Sequence, residues 1–279
     1  MNNKQVWFVT GASKGLGLTL VRRLLNEGYR VAATSRNAQS LTDAVETHAD
    51  NFLSLEVDLA DESSVGTAIE KTIARFGGID VVVNNAGYGI FGVLEKLADT
   101  ETRANFDINV FGTLNVIRAV MPHFREKRAG RIFNISSIGG FTADFAGWGI
   151  YCATKFAVAG LTEALAAESR ELGIYATVVY PGYFRTNFLS EGSLAVSGSI
   201  PGEYTAAQQS IDLHKTELDN KQQGDPEKAA GVLISLAGKS DQPVHLFLGS
   251  DALAAAETKI RTIQDSLSAN REHTVSTDY

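Results

Sequence analysis

Short apolar runs of four to eight residues recur along this chain, each followed by a longer stretch with helical spacing, and that alternation narrows the accessible folds more than any other feature. The runs are Val6 to Val9, Arg30 to Thr34, Phe52 to Val57, Ile79 to Val83, Arg131 to Ile135, Tyr175 to Tyr180 and Val244 to Leu248. They are rich in Val, Ile and Phe and lack strict alternation, so both faces of each are expected to be covered, as in a parallel sheet between helical layers. After the first run, Leu16, Leu20, Val21, Leu24 and Leu25 form one apolar stripe that stops at Gly28. The pattern predicts an α/β protein: one doubly wound Rossmann-type domain, residues 1–279, with about seven parallel strands and helices on both faces. The stretch 188–224 breaks the rhythm with polar residues, glycines and Pro201, and is expected to be an excursion over the binding edge. Residues 268–279 are polar and aperiodic and read as a tail, frayed or docked.

Composition removes several function classes. Apolar residues make up 44% and charged residues 20%, with a mean hydropathy of -0.04, a profile of globular and not disordered or fibrous chains. A net charge of -7 without a Lys/Arg run gives no reason to seek a nucleic acid. No stretch approaches eighteen uncharged apolar residues, so no membrane span is expected. A single cysteine, Cys152, cannot pair internally, and the start MNNKQVWFVT lacks a signal-peptide pattern, so a reducing, cytoplasmic compartment is the expectation. His48, His123, His214, His245 and His273 have no ligand spacing, which argues against a metal site.

The unusual residues stand just after the apolar runs: Thr10-Gly11, Ser35-Arg36, Asp58, Asn84-Asn85-Ala86-Gly87, Ser136-Ser137 and Pro181-Gly182. In a parallel sheet these ends converge on one edge, where ligands bind. Gly11, Ser13, Lys14, Gly15, Leu16 and Gly17 join the first strand to the first helix, where backbone N–H groups and the positive helix end can receive a pyrophosphate. The second strand ends in Ser35-Arg36 with no acid to bond a ribose diol. Arg36 and Lys14 together favour the extra phosphate of NADP(H) over NAD(H). Asp58 suits an adenine amino group and equally a turn or helix cap. Asn85, Ala86 and Gly87 permit close approach of the chain to a cofactor, or form a stabilised turn.

Tyr151 and Lys155 lie four apart in Tyr151-Cys152-Ala153-Thr154-Lys155 and share a helix face. Roughly 0.7 such pairs are expected by chance, so the pair gains meaning only from its chemistry. A phenol with a pKa of about 10 is a poor base, and an ammonium about 4 Å away at an effective dielectric of about 20 would lower it by about 3 units. Ser137 is placed to hold a substrate oxygen, and Asn109 to orient a water or Lys155, although Asn109 alone is more often a helix surface or kink residue. Cys152 has no histidine near it in sequence and reads as packing. Tyr88, Phe91, Phe141, Phe145, Trp148, Tyr183, Phe184 and Phe188 either line an apolar pocket or belong to the core or to subunit contacts.

This ordered set resembles the short-chain dehydrogenase/reductase family, from about Gln5 to about Phe188. The resemblance implies that Gly11, Gly15 and Gly17 form the cofactor loop, with Ser13, Asp58, Asn85 and Gly87 contacting the dinucleotide. It implies that Asn109 supports a proton-relay water, Ser137 positions the carbonyl, Tyr151 gives or takes the proton, and Lys155 lowers the tyrosine pKa while holding the nicotinamide ribose. Pro181-Gly182, with Phe184 and Thr186, matches the turn that packs the carboxamide end. The gap from Ser137 to Tyr151 is one residue longer than the family's commonest spacing, which leaves Ser136 as the alternative to the preferred Ser137. The ending Leu248-Gly249-Ser250-Asp251-Ala252 looks more like the hydroxysteroid and retinol dehydrogenase branch than the acyl-carrier reductases. The expectation is an NADP(H)-dependent carbonyl reductase or alcohol dehydrogenase acting on CH–OH groups of a bulky or apolar small molecule, as a homodimer or homotetramer. The alternative is a redox-sensing regulator that binds NADPH and a protein partner without chemistry.

Overall fold

Why seven runs become one sheet is visible in how their side chains divide. In the computed structural model, which describes residues 4–46, 49–189, 193–198, 200–214 and 221–279, the strands β1 (Val6–Val9), β2 (Arg30–Ser35), β3 (Phe52–Glu56), β4 (Val81–Asn84), β6 (Gly130–Ile135), β7 (Ile174–Pro181) and β9 (His245–Leu248) form one sheet. His48 and parts of the 188–224 excursion lie outside the described residues. The order is β3-β2-β1-β4-β6-β7-β9 and every pairing is parallel. Alternate residues of one strand enter opposite cores: Trp7 and Val9 of β1 join one, Val6 and Phe8 the other. The same split recurs at Val81 and Val83 against Val82 of β4. That is why the runs read as continuously apolar.

Helices supply the other side of each core. On one face lie α1 (Gly15–Asn26), α2 (Ala38–Val45) and α8 (Pro226–Ala237), contributing Leu20, Leu24, Leu41, Val45, Ala230 and Leu233. On the other lie α3 (Glu62–Phe76) and α5 (Gly112–Lys127), with Leu165 from α6 (Gly149–Ser169). Their boundaries follow local chemistry. Asn37, Asp61 and Asp225 cap α2, α3 and α8 by accepting backbone N–H bonds, and Pro226 takes the first turn of α8.

Two features differ from the sequence expectation. Gly89–Phe91 (β5) and Leu194–Val196 (β8) pair in parallel as a separate two-stranded sheet, which three-residue runs do not announce. Residues 268–279 are not simply an aperiodic tail, since α9 (Ser250–Ala269) runs into them and α10 (Arg271–Val275) follows. Ala252 and Ala256 root α9 against Ile138, Phe141 and Phe247. Beyond them its side chains are mostly exposed, although Leu253, Ala256, Ile260, Ile263 and Leu267 fall at spacings of three and four and continue one apolar stripe along the helix.

Chain order reverses between β1 and β4: β1 leads outward through β2 to β3, and β4 starts the other half. This places a crevice at the carboxyl ends of β1 and β4. The helix Gly149–Leu172 is long and apolar enough to cross a bilayer on composition alone, but it packs along β7 as a core helix.

Leu233→Ala, at a fully buried position of α8, should cost about 2–5 kcal/mol in urea unfolding. Leu267→Ala, with 60% of the residue exposed on α9, should change stability by no more than about 0.5 kcal/mol.

Candidate active site

The crevice opens into a cavity of about 760 Å³ whose floor is made by the strand ends. Gly11, Ser13, Lys14, Gly15, Leu16, Arg36, Asp58, Asn85, Ala86, Gly87, Ser136, Ser137, Tyr151, Lys155, Pro181, Gly182, Phe184 and Thr186 all line it. Gly17 is buried behind the loop, and Asn109 sits one layer back.

The loop after β1 is held by polar bonds from the loop after β4. Asn85 donates from Nδ2 to the carbonyls of Thr10 (3.0 Å) and Gly11 (2.9 Å), and the Thr10 hydroxyl accepts the N–H groups of Asn85 and Ala86 (3.1 Å each). Gly11 has φ +65, and a Cβ there would stand 2.6 Å from the Ala86 Cα. Only glycine fits both the conformation and the contact. The Asn85 side chain therefore locks the glycine loop, while the residue also lines the cavity.

No side chain caps the N-terminus of α1, and its first turn holds no acid, so amides and helix dipole face the cavity. Lys14 stands beside Arg36, and partial burial together with that guanidinium lowers its pKa. Two cations crowded at an uncapped helix start fit a pyrophosphate and a further phosphate. Asp58 spends Oδ1 on the Ala60 N–H at 3.0 Å, so it is a turn residue as well as a cavity residue.

At the other end of the cavity, α6 presents Tyr151 and Lys155, both buried. The Tyr151 hydroxyl lies close enough to the Ser137 side chain for the serine to favour its ionisation. Ser137 begins a short 3-10 turn and accepts the Gly139 N–H at 3.0 Å, which aims its hydroxyl. Ser136 points elsewhere: it donates to the Lys155 carbonyl at 2.8 Å, packing β6 to α6. The pair thus divides into Ser137 at the reacting group and Ser136 in the frame.

Lys155 donates from Nζ to the Ile135 carbonyl at 2.9 Å, and its Nζ lies 5.8 Å from the Tyr151 ring centroid. Burial pushes its pKa down to about 8. Burial also raises the Tyr151 pKa, an effect that the Ser137 side chain opposes and that Cys152 and Tyr183 reinforce. The phenol expected to be acidified is held up by burial instead, and the ammonium, with Nζ turned to the Ile135 carbonyl, is not among the groups that shift it.

Asn109 sits in a π-helical turn (Asp107–Phe111) between α4 (Asp99–Phe106) and α5, which swings its side chain inward. Oδ1 accepts the Tyr88 N–H (3.0 Å), while Nδ2 donates to the Tyr88 carbonyl and the Thr154 hydroxyl (3.0 Å each). Thr154 in turn donates to the Tyr151 carbonyl at 2.7 Å. The Asn109 side chain braces α6 against the β4 loop, which makes Asn109 a positioning residue in this structure. Cys152 is buried and its thiol is pushed up to about 11 by that burial, so it packs as a neutral group.

Of the aromatic residues singled out by sequence, Tyr88, Phe145, Trp148, Tyr183, Phe184 and Phe188 line the cavity, whereas Phe91 packs beneath Trp148 and Phe141 against Tyr180 and Phe247. His214 and the β8 residues Leu194 and Ala195 also line it and were missed. The signal for His214 was available: Ala207, Ile211 and His214 fall at i, i+4 and i+7 and are all buried, with α7 (Thr205–Asp212) ending just before the histidine.

Comparison with known proteins gives a consistent result. Residues 5–195 match the family model for short chain dehydrogenase. A 3-ketodihydrosphingosine reductase from Bacteroides thetaiotaomicron is 32% identical over 246 residues, covering 88% of each chain. A short-chain dehydrogenase structure from Streptomyces avermitilis superposes with a TM-score of 0.90 at 33% identity, covering 98% of this chain and all of that one (100%). ElxO with NADP bound superposes at 0.75 with 27% identity, covering 90% of this chain and 99% of that one.

The buried ammonium yields a stability test. Because folding lowers the Lys155 pKa from 10.5 to about 8, the charge penalises the fold below pH 8, and the penalty fades as pH rises toward 10.5. Allowing for the lost bond to Ile135, Lys155→Met should stabilise the protein by on the order of 2 kcal/mol at pH 7. The gain should shrink above pH 8 in thermal melts across pH.

Proposed function

The chain belongs to the short-chain dehydrogenase/reductase family and is an oxidoreductase, and on that premise we propose that it is an NADP(H)-dependent carbonyl reductase acting on a bulky or apolar ketone or aldehyde. The observation that carries this reading is the Ser137–Tyr151 hydroxyl pair beside buried Lys155, in the same cavity as the uncapped α1 N-terminus. The 3-ketodihydrosphingosine reductase relative and the NADP-bound ElxO structure support a reducing direction and a nicotinamide cofactor. Crowding of Lys14 and Arg36 supports NADP(H) over NAD(H).

When bound, the nicotinamide supplies hydride to the carbonyl carbon. The Ser137 hydroxyl holds the carbonyl oxygen, and Tyr151, kept protonated by burial, donates its proton to that oxygen as negative charge develops there. Lys155, charged below about pH 8, stabilises the phenolate left behind. Asn109 and Thr154 fix the helix turn that aims Tyr151. The aromatic wall of Phe145, Trp148 and Phe188 excludes water and accepts an apolar body. The proposal includes a reducing, cytoplasmic setting and a homo-oligomer. Exposed Phe111 and Phe156, beside α5 and on α6, give apolar surface for a second copy.

Tyr151→Phe should cut kcat for NADPH-dependent carbonyl reduction by about 10²–10⁴-fold while NADPH still binds by fluorescence titration; full turnover would end the assignment. Arg36→Asp should raise the KM for NADPH by about 10–100-fold and that for NADH far less. Reduction should weaken as pH rises through about 8, where Lys155 of the free enzyme loses its charge, in a kcat/KM profile across pH.

A further inference from the structure

Within the apolar half of the cavity two polar side chains form a pair that the proton-transfer chemistry leaves unused. The Tyr183 hydroxyl and His214 Nε2 are 3.0 Å apart, and both residues line the cavity. Each is fixed from behind. Tyr183 follows the Pro181-Gly182 turn, and its N–H donates to the Asp251 carboxylate at the start of α9 at 2.6 Å. His214 packs on Trp148 with ring centroids 4.8 Å apart, and its Nδ1 stands 2.6 Å from the Ser210 carbonyl one turn back. Trp148 in turn contacts Tyr151, with centroids 5.9 Å apart, so the pair stands across one indole from the reacting phenol. Tyr183 is also close enough to oppose ionisation of Tyr151.

The direction of the bonds follows from what each atom can do. A carbonyl only accepts, so Nδ1 carries the proton and donates to Ser210. Burial lowers the His214 pKa, so the ring is neutral and Nε2 is a bare lone pair. Nε2 therefore accepts the Tyr183 proton. The Tyr183 proton is committed to the imidazole, and the capacity left to its oxygen is acceptance. Redirecting that proton to a ligand would strand a buried lone pair, at the cost of an unmade hydrogen bond.

We propose that Tyr183, oriented by His214, is a second anchor in the substrate arm that accepts a hydrogen bond, so that the enzyme selects carbonyl substrates carrying a hydroxyl on an otherwise apolar frame. This rests on the carbonyl reductase reading above. It assigns the two residues to substrate positioning, leaving the proton transfer to Tyr151.

The test uses the full-length enzyme with NADPH and three kinds of ketone: decan-2-one, its analogues with a hydroxyl placed successively further from the carbonyl, and the methyl ethers of those analogues. The ethers keep the oxygen and remove only the donor. Wild type should show a kcat/KM about tenfold higher for at least one hydroxyketone than for its ether and for decan-2-one. Tyr183→Phe should bring that ratio to about one, chiefly through the hydroxyketone KM. His214→Phe keeps a ring against Trp148 but frees the Tyr183 proton, so the ether should rise toward the hydroxyketone, a change that loss of packing does not produce. Equal wild-type values for hydroxyketones, ethers and decan-2-one overturn the anchor, and this needs no variant to fold. A preference that survives Tyr183→Phe overturns it as well. Absence of NADPH oxidation with every ketone and with a panel of aldehydes and quinones overturns the carbonyl reductase reading itself, and the anchor with it.

Discussion

Desolvation of the Tyr151 and Lys155 side chains is the constraint on which the rest of the site depends. A helix turn brings a phenol and an ammonium together, but the protein around them decides what each is. Burial holds the proton on the tyrosine and loosens it on the lysine, so the resting state is a neutral acid beside a strained cation. Such an arrangement is costly for the fold and useful for chemistry, because a negative charge appearing on the phenol oxygen would give the ammonium an anionic partner beside its bond to the Ile135 carbonyl. Perturbed groups of this kind mark functional sites more often than structural ones.

The scaffold serves that pair by making its surroundings rigid. Asn85 ties the glycine loop to the β4 end, Asn109 ties the β4 loop to α6 through Thr154, and Ser136 ties β6 to the same helix. Two of these side chains follow strand ends and Asn109 comes from the π-helical turn before α5. Each spends side-chain hydrogen bonds on backbone or on another brace, which is how buried polar groups fix geometry. The amide of Asn85 and the carbonyl of Gly11 show the consequence: the glycine loop is held from behind, and the uncapped start of α1 is left facing the cavity.

The cavity has two chemically distinct regions. One is cationic and glycine-lined, at the β1–β4 crevice; the other is aromatic, closed by Trp148, Phe188 and the small β5–β8 sheet. The reacting hydroxyls of Ser137 and Tyr151 stand between them. In the aromatic region the Tyr183–His214 bond is a polar feature with a fixed sense, set by a backbone carbonyl one helical turn away. Its polarity restricts what can be held there more sharply than the shape of the surrounding rings does.

By itself the sequence determined the sheet, its parallel sense and the edge where function gathers, because apolar runs, helical stripes and glycine turns are local patterns whose period survives in one dimension. It also carried the identities of Tyr151, Lys155, Ser137 and the glycine loop. It did not show the β5–β8 sheet, whose strands are too short to have a period. Tertiary structure alone decided which serine meets the phenol, that Asn85 and Asn109 brace, that Phe91 and Phe141 belong to the core, and which way the Tyr151 pKa moves. The reason is common to all of these. Hydrogen-bond partners and desolvation depend on residues distant in the chain, and a side chain's protonation is set by what surrounds it in space, which spacing along the sequence does not record.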